Sequence, residues 1–201
     1  MKLTYDIIKD AVLAKDYKWF ESDSYNINIV GVRNSDTDGE VTNKFDDQIT
    51  LSYMIDGNRE FHQFDCTTDP GKHWVENVMN DNGVAILVPG QYRGSHKIRL
   101  HQGRYEALGQ QKPVKVYRDN NLDGSYDFDE SSIQEGLFGI NIHRATKYAG
   151  KKSSQIDRWS AGCQVIAAYD DFMQFMQICN NAKDLWGNSF TYTLIESKDL
   201  A

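Results

Sequence analysis

A chain of 201 residues is long enough to bury a core without staples and short enough for one domain. Apolar residues at 40% and aromatic ones at 12% exclude a disordered segment, and a formal charge of −7 excludes a nucleic-acid backbone as the main partner. Three cysteines, Cys66, Cys163 and Cys179, are odd in number and far apart, which argues against a disulfide framework, and no C-x-x-C spacing offers a zinc site.

Residues 1–27 read as a helical appendage, with Ile8, Ala11 and Val12 on one face of an expected helix from Tyr5 to Lys15. Acids at the N-terminus stand where a secretion signal needs an apolar stretch, and no segment approaches the length of a membrane span. The expectation is cytoplasmic synthesis with no membrane partner.

From residue 28 onward strand signals dominate. Asn28 to Val32 is a short apolar run, and the acidic stretch from Asn34 to Asp47 reads as an exposed loop. Ile49, Leu51, Tyr53 and Ile55 alternate up to the turn Asp56-Gly57-Asn58, and Arg59 to Cys66 answers as the second arm of a hairpin. Val84 to Val88 is a strand stopped by Pro89-Gly90, and Lys97 to Leu100 and Val114 to Tyr117 are further strands. In Leu137 to His143, alternation puts Phe138, Ile140 and Ile142 on one face and Gly139, Asn141 and His143 on the other, where a base could meet solvent or substrate. A helix capped by Asp170 or Asp171 follows, with Phe172, Phe175, Met176 and Cys179 at helical spacing. Ser189 to Ile195 closes the chain as a strand. The pattern is one domain, 1–201, mainly β with a few helices, most simply a sandwich or barrel over 28–201.

Between two of these strands lies Asp119-Asn120-Asn121-Leu122-Asp123-Gly124-Ser125-Tyr126-Asp127-Phe128-Asp129-Glu130. Oxygen-bearing side chains at positions 1, 3, 5 and 9, Gly at 6 and Glu at 12 match the twelve-residue calcium loop. Asp119, Asn121, Asp123, Asp127 and Glu130, with the Ser125 carbonyl, are the expected ligands of a structural calcium. Such a cation would brace the strand that carries His143. The strand-like flank 115–118 argues against a helix–loop–helix. No organic cofactor is expected.

Cys163 lies in Ser160-Ala161-Gly162-Cys163-Gln164, twenty positions after His143. A thiol does acyl transfer when an imidazole takes its proton, and small residues before it let the backbone turn and aim N–H groups at an oxyanion. An activated Cys163 would alkylate rapidly at neutral pH. Cys66 and Cys179 read as buried structural thiols, and His62, His73, His96 and His101 as hydrogen-bonded bystanders.

His143, sixteen residues, then Ser160-x-Gly162-Cys163 resembles the signature of the L,D-transpeptidase (YkuD-like) catalytic domain. The resemblance implies a β-sandwich or partly open barrel over roughly 28–195. It implies Cys163 as nucleophile, His143 as general base, an oxyanion hole of N–H groups at Ala161, Gly162 and Cys163, and Ser160 as polar support in the turn. The implied substrate is a peptidoglycan stem peptide, attacked to give a thioester that an amine or water resolves. Two positions depart from the pattern: Ala161 stands where the family has a second histidine, and Gln164-Val165 where an Arg or Asn is found. Arg144 and Arg158 are candidates for a substrate carboxylate, and Trp159 for a groove wall. Two alternatives stay open: a phage-type wall peptide hydrolase released at lysis, which needs no leader, and a calcium-binding wall module without turnover.

Overall fold

The computed structural model describes residues 2–77, 79 and 81–200. Helix α1 (Tyr5–Ala14) starts on Thr4, whose side chain accepts a hydrogen bond from the Ile7 N–H at 3.3 Å. Ile8, Ala11 and Val12 pack with Val30, Val32 and Ile195, so the appendage is tied to the core strands rather than trailing from them.

Eleven strands follow among the described residues: β1 (Asn28–Arg33), β2 (Asp47–Ile55), β3 (Asn58–Thr67), β4 (Val84–Leu87), β5 (Gly90–His101), β6 (Tyr105–Gln110), β7 (Val114–Asp119), β8 (Gln134–Gly136), β9 (Ile142–Arg144), β10 (Gln164–Ile166) and β11 (Phe190–Glu196). Two more helices, α2 (Lys72–Glu76) and α3 (Tyr169–Trp186), are interspersed. Eight strands close into a barrel in the order β1-β11-β5-β6-β9-β10-β3-β2, and β4-β7-β8 form a separate sheet. The chain is therefore mainly β with few helices. Of the arrangements the pattern allowed, a barrel forms, and it is closed rather than partly open. The pairs β1–β11 and β9–β10 are parallel.

The β2–β3 hairpin follows from its sequence. Ile49, Leu51 and Tyr53 are buried, and Asp56 (φ 48°) and Gly57 (φ 82°) both take the left-handed backbone of a tight two-residue turn. Helix α3 lays Phe172, Phe175, Met176 and Cys179 against the main core. Its N-cap is Ala168, not an aspartate; Asp170 and Asp171 lie in the first turn, where carboxylates favour the helix dipole.

Two expectations need correction. The run from Leu137 to His143 is not one strand: only Ile142–Arg144 is. Gly139 (φ 75°) breaks the extended backbone, and the N–H groups of Phe138 and Ile140 donate to the Gln110 side-chain oxygen (3.1 and 2.9 Å) instead of a ladder. The stretch from Asn34 to Asp47 is not simply an exposed loop either. Asp47 is buried and accepts hydrogen bonds from the Asn34 N–H (2.7 Å), the Thr68 N–H (2.6 Å) and the Thr68 hydroxyl (2.9 Å). Arg33, at the other end, pairs with Asp69 at 2.9 Å and donates to the Leu87 carbonyl at 2.9 Å. Burial, with Asp69 nearby, pushes the Asp47 carboxyl up to about 7. Among the described residues no helix is long and apolar enough to cross a membrane.

Candidate active site

Parallel pairing of β9 with β10 is what brings the sequence signature together. Val165 is the register partner of His143, and Cys163 immediately precedes β10, so this pairing sets the cysteine turn beside the strand of His143. No hydrogen bond joins the thiol to the imidazole among the described residues, and His143 does not line the cavity that Cys163 opens into. The bond from the Gln164 N–H to the Asn141 carbonyl (2.9 Å) locks that register at the cysteine.

The turn before Cys163 is built on Ser160. Its buried hydroxyl donates to the Cys163 carbonyl at 2.7 Å and accepts from the Gly162 N–H at 3.1 Å. Ser160 thus supports the turn, as expected. The same bond commits the Gly162 N–H, so of the three N–H groups expected to face an oxyanion, that one points to Ser160 instead. Gly162 itself has φ 128°, and a β-carbon there would fall well inside 3.0 Å of the Ala85 carbonyl oxygen. Only glycine lets the turn lie against β4.

Cys163 and His143 are both neutral. The thiol donates to the Gly139 carbonyl at 3.2 Å, and burial pushes it up to about 11 despite the Asn141 N–H beside it. His143 is only 6% exposed; burial, then the neighbouring His101, push it down to about 4. Its Nδ1 lies 3.0 Å from the Arg144 carbonyl, which can only accept, so Nδ1 carries the proton and Nε2 keeps its lone pair. That is the tautomer a general base needs. It also means that the base is buried rather than facing solvent, and that the thiol is not activated at rest.

Alkylation of Cys163 by iodoacetamide is accordingly expected to be slow at pH 7 and to rise about tenfold per pH unit as thiolate forms, without a plateau below about pH 10. Mass-spectrometric rates at a series of pH values check this. A plateau near neutrality would mean an ion-paired thiolate and would overturn the neutral pair.

Cys163 opens into a cavity of about 560 Å³ that sequence reasoning did not anticipate. His101 lines it and stacks on His143 with ring centroids 4.4 Å apart, so it is no bystander. Arg99 and Arg118 also line it, whereas no Asp or Glu does among the described residues. Arg118 is held over the Phe138 ring at 4.8 Å and donates to the Gln134 side chain (3.0 Å) and the Gly83 carbonyl (3.3 Å). Both arginines lie on strands with no motif tied to the cysteine, which is why only the fold brings them to the thiol.

Arg144, Arg158 and Trp159, the expected substrate contacts, are not in this cavity. Alternation along β9 turns Arg144 to the opposite face from His143. There its guanidinium lies over the rings of Tyr105 (4.2 Å) and Tyr169 (5.2 Å) and lines a second cavity. Arg158 is exposed, and its carbonyl accepts from the Trp74 ring N–H at 3.2 Å. Trp159 is 46% exposed. Cys66 and Cys179 are buried free thiols, as expected. His96 is buried, hydrogen-bonded to Ser95 and to the Ile140 carbonyl.

In the acidic loop, Asp119 ends β7 and is buried. The Asn121 amide nitrogen donates to Asp123 (3.0 Å) and Asp127 (2.7 Å), the Asn121 oxygen accepts from the Asp123 N–H (3.1 Å), and Asp123 accepts from the Ser125 N–H (2.8 Å). Gly124 takes φ 86° at the bend. Glu130 opens a short 3-10 turn at the surface, and no hydrogen bond joins it to the other four side chains among the described residues. Comparison with protein-family models, curated proteins and solved structures gives no match to this chain.

Proposed function

We propose that this chain is a cysteine acyl-transfer enzyme acting on peptidoglycan stem peptides through a thioester, as the L,D-transpeptidase-like signature implies. One observation carries the reading: Cys163, on a turn only glycine permits, opens into a cavity with two guanidinium groups and no carboxylate among the described residues, in a chain of net charge −7. Such a cavity favours an anionic peptide, and stem peptides carry carboxylates.

Because both groups are neutral at rest, the thiol proton leaves as the sulfur attacks. Sγ bonds to the amide carbonyl carbon while the proton passes to Nε2 of His143. The C–N bond then breaks, the leaving amine takes the proton, and the acyl group remains on sulfur. An incoming amine or water next attacks the thioester, gives up a proton by way of His143 to the departing sulfur, and restores the thiol. An amine acceptor makes the enzyme a transpeptidase, and water makes it a hydrolase.

Mass spectrometry of the protein mixed with defined muropeptides, beside Cys163→Ala, tests the reading. Cross-linked or trimmed stems that vanish in the variant are expected, and their masses tell transfer from hydrolysis. Absence of both product and covalent adduct would move the assignment to a binding module, which the high thiol pKa and Ala161 favour. Substitutions Arg99→Gln and Arg118→Gln are each expected to raise KM about tenfold or more with a smaller change in kcat, since a lost charge-assisted hydrogen bond costs roughly 1.5–3 kcal/mol. An unchanged KM in both would remove the arginines from substrate binding.

A further inference from the structure

The acidic loop after β7 has no part in the acyl-transfer chemistry, yet it carries a buried polar atom that no protein group partners. Asp119 is 3% exposed, and its Oδ2 is buried without a hydrogen-bond partner. A buried carboxylate oxygen left unpaired is costly unless a proton or a cation reaches it. The charged groups that act on it are themselves acidic, Asp127 and Asp123. Backbone N–H groups of Asp127 and Asn121 face the same carboxylate, which places it inside the loop's curve rather than outside it.

We propose that Asp119, Asn121, Asp123 and Asp127 form a calcium site that fastens this loop to the sheet of β4 and β7. Among the described residues no three acidic, histidine or cysteine side chains are already gathered around one point. The hydrogen bonds explain why. The NH₂ group of Asn121 sits between Asp123 and Asp127 and supplies the positive end of a dipole where a cation would supply charge. Turning that amide over, with loss of the bond from the Asp123 N–H, would present its oxygen to an ion together with the three carboxylates. Hard oxygen donors without nitrogen or sulfur suit calcium, and the irregular spacing of the set suits it better than magnesium, which demands a near-octahedral shell. Glu130 is exposed in its own short turn and shares no hydrogen bond with these four among the described residues, so it is not counted with them.

The site would act on β4 rather than on the strand of the base. Asp119 is the register partner of Val84, and a β-carbon at Gly83 would fall inside 3.0 Å of the Asp119 carbonyl oxygen. Gly83, Val84 and Ala85 wall the Cys163 cavity. A cation at Asp119 therefore stiffens one wall of that cavity, whatever the substrate proves to be. Among the described residues β7 pairs with β4 and β8, so the brace is placed on β4 rather than on the strand of His143.

Calorimetric titration of the chelator-treated full chain with calcium chloride, carried to about 10 mM, tests the proposal. One equivalent of calcium is expected to bind, to raise the melting temperature, and to slow amide hydrogen exchange at Val84–Leu87. Asp119→Asn keeps the side-chain volume and removes the buried charge, so it should fold and bind calcium about tenfold more weakly or worse. Asp123→Asn, at the surface, should weaken binding in the same direction and guards against misfolding of the first variant. Absence of any calcium response, equal binding of magnesium, or full binding by both variants would each overturn the site. Binding without slower exchange at Val84–Leu87 would overturn the brace.

Discussion

Replacing Cys163 by alanine is expected to abolish muropeptide conversion, a loss of at least about 10⁴-fold, together with every covalent adduct. His143→Ala should lose roughly 10²–10⁴-fold, because the imidazole serves only to move the proton. The two groups also fix a pH profile. The thiol is pushed up to about 11 and the imidazole down to about 4, so the neutral pair is the dominant species across the whole interval between them. Below about 4 His143 is protonated and can no longer accept. Above about 11 the thiol has already lost its proton. Turnover at low substrate is therefore expected to be flat from about pH 5 to about pH 10, with no inflection near 6.5. A pH series of kcat/KM with the wild-type protein checks it, and an acid limb near 6 to 7 would show that the working base is a more exposed imidazole, His101 being the nearest. The substrate matters here because a neutral thiol at rest protects the enzyme from oxidation and stray acylation, at the cost of needing a well-placed carbonyl before the proton will leave.

Most of the fold is legible from local pattern. The β2–β3 hairpin has clean alternation and a turn whose Asp-Gly pair takes left-handed backbone, and α1 and α3 bury the faces their spacing marks. What the pattern hides are short elements whose neighbours are distant. Strand β10 is three residues, β9 is three, and β8 is three; none is long enough to show a period, and each exists because long-range partners supply its ladder. Strand β6 gives no sequence signal because Ala107-Leu108-Gly109-Gln110 is buried on both faces and so does not alternate. The run before His143 has the alternation of a strand in Phe138, Ile140 and Ile142, yet the Gln110 side chain takes the N–H groups that a neighbouring strand would have used.

The site divides in the same way. Cys163, Ser160, Gly162 and His143 carry a local signature, and β9–β10 pairing sets the cysteine turn beside the strand of His143. The residues that give the cavity its charge and its imidazole, Arg99, Arg118 and His101, come from β5 and β7 and share no motif with the cysteine. An arginine in sequence beside the signature is a poor guide to substrate contact when strand alternation sends it to the other face, as at Arg144. Burial is likewise invisible in a sequence. His143 occupies the position expected of an exposed base, but β9 lies between β6 and β10 in a closed barrel, and the imidazole is covered.

Gly162→Ala should produce the largest structural effect of any single methyl in the chain's active region. Two costs add. The backbone at φ 128° lies in a region that an L side chain rarely adopts, and the new β-carbon meets the Ala85 carbonyl oxygen inside 3.0 Å. Neither partner can step aside: Ala85 is paired with Arg118 between β4 and β7, and the Gly162 N–H is tied to Ser160. A loss of about 3 kcal/mol or more is expected, which in a chain of this size lowers the melting temperature by roughly 6–12 °C. Gly150→Ala is the control. Its φ of 68° is also left-handed, but nothing lies within 4 Å of the added carbon, so it should lose only about 1 kcal/mol. Thermal unfolding of the two variants side by side separates the strain of the backbone from the clash with β4. If Gly162→Ala remains folded, turnover should still fall by about 100-fold at temperatures well below melting, because the turn that sets Cys163 cannot keep both its Ser160 bonds and its distance from Ala85. Equal stability of the two variants would mean that the turn yields freely, and the close packing of Gly162 on β4 would then not be what positions the thiol.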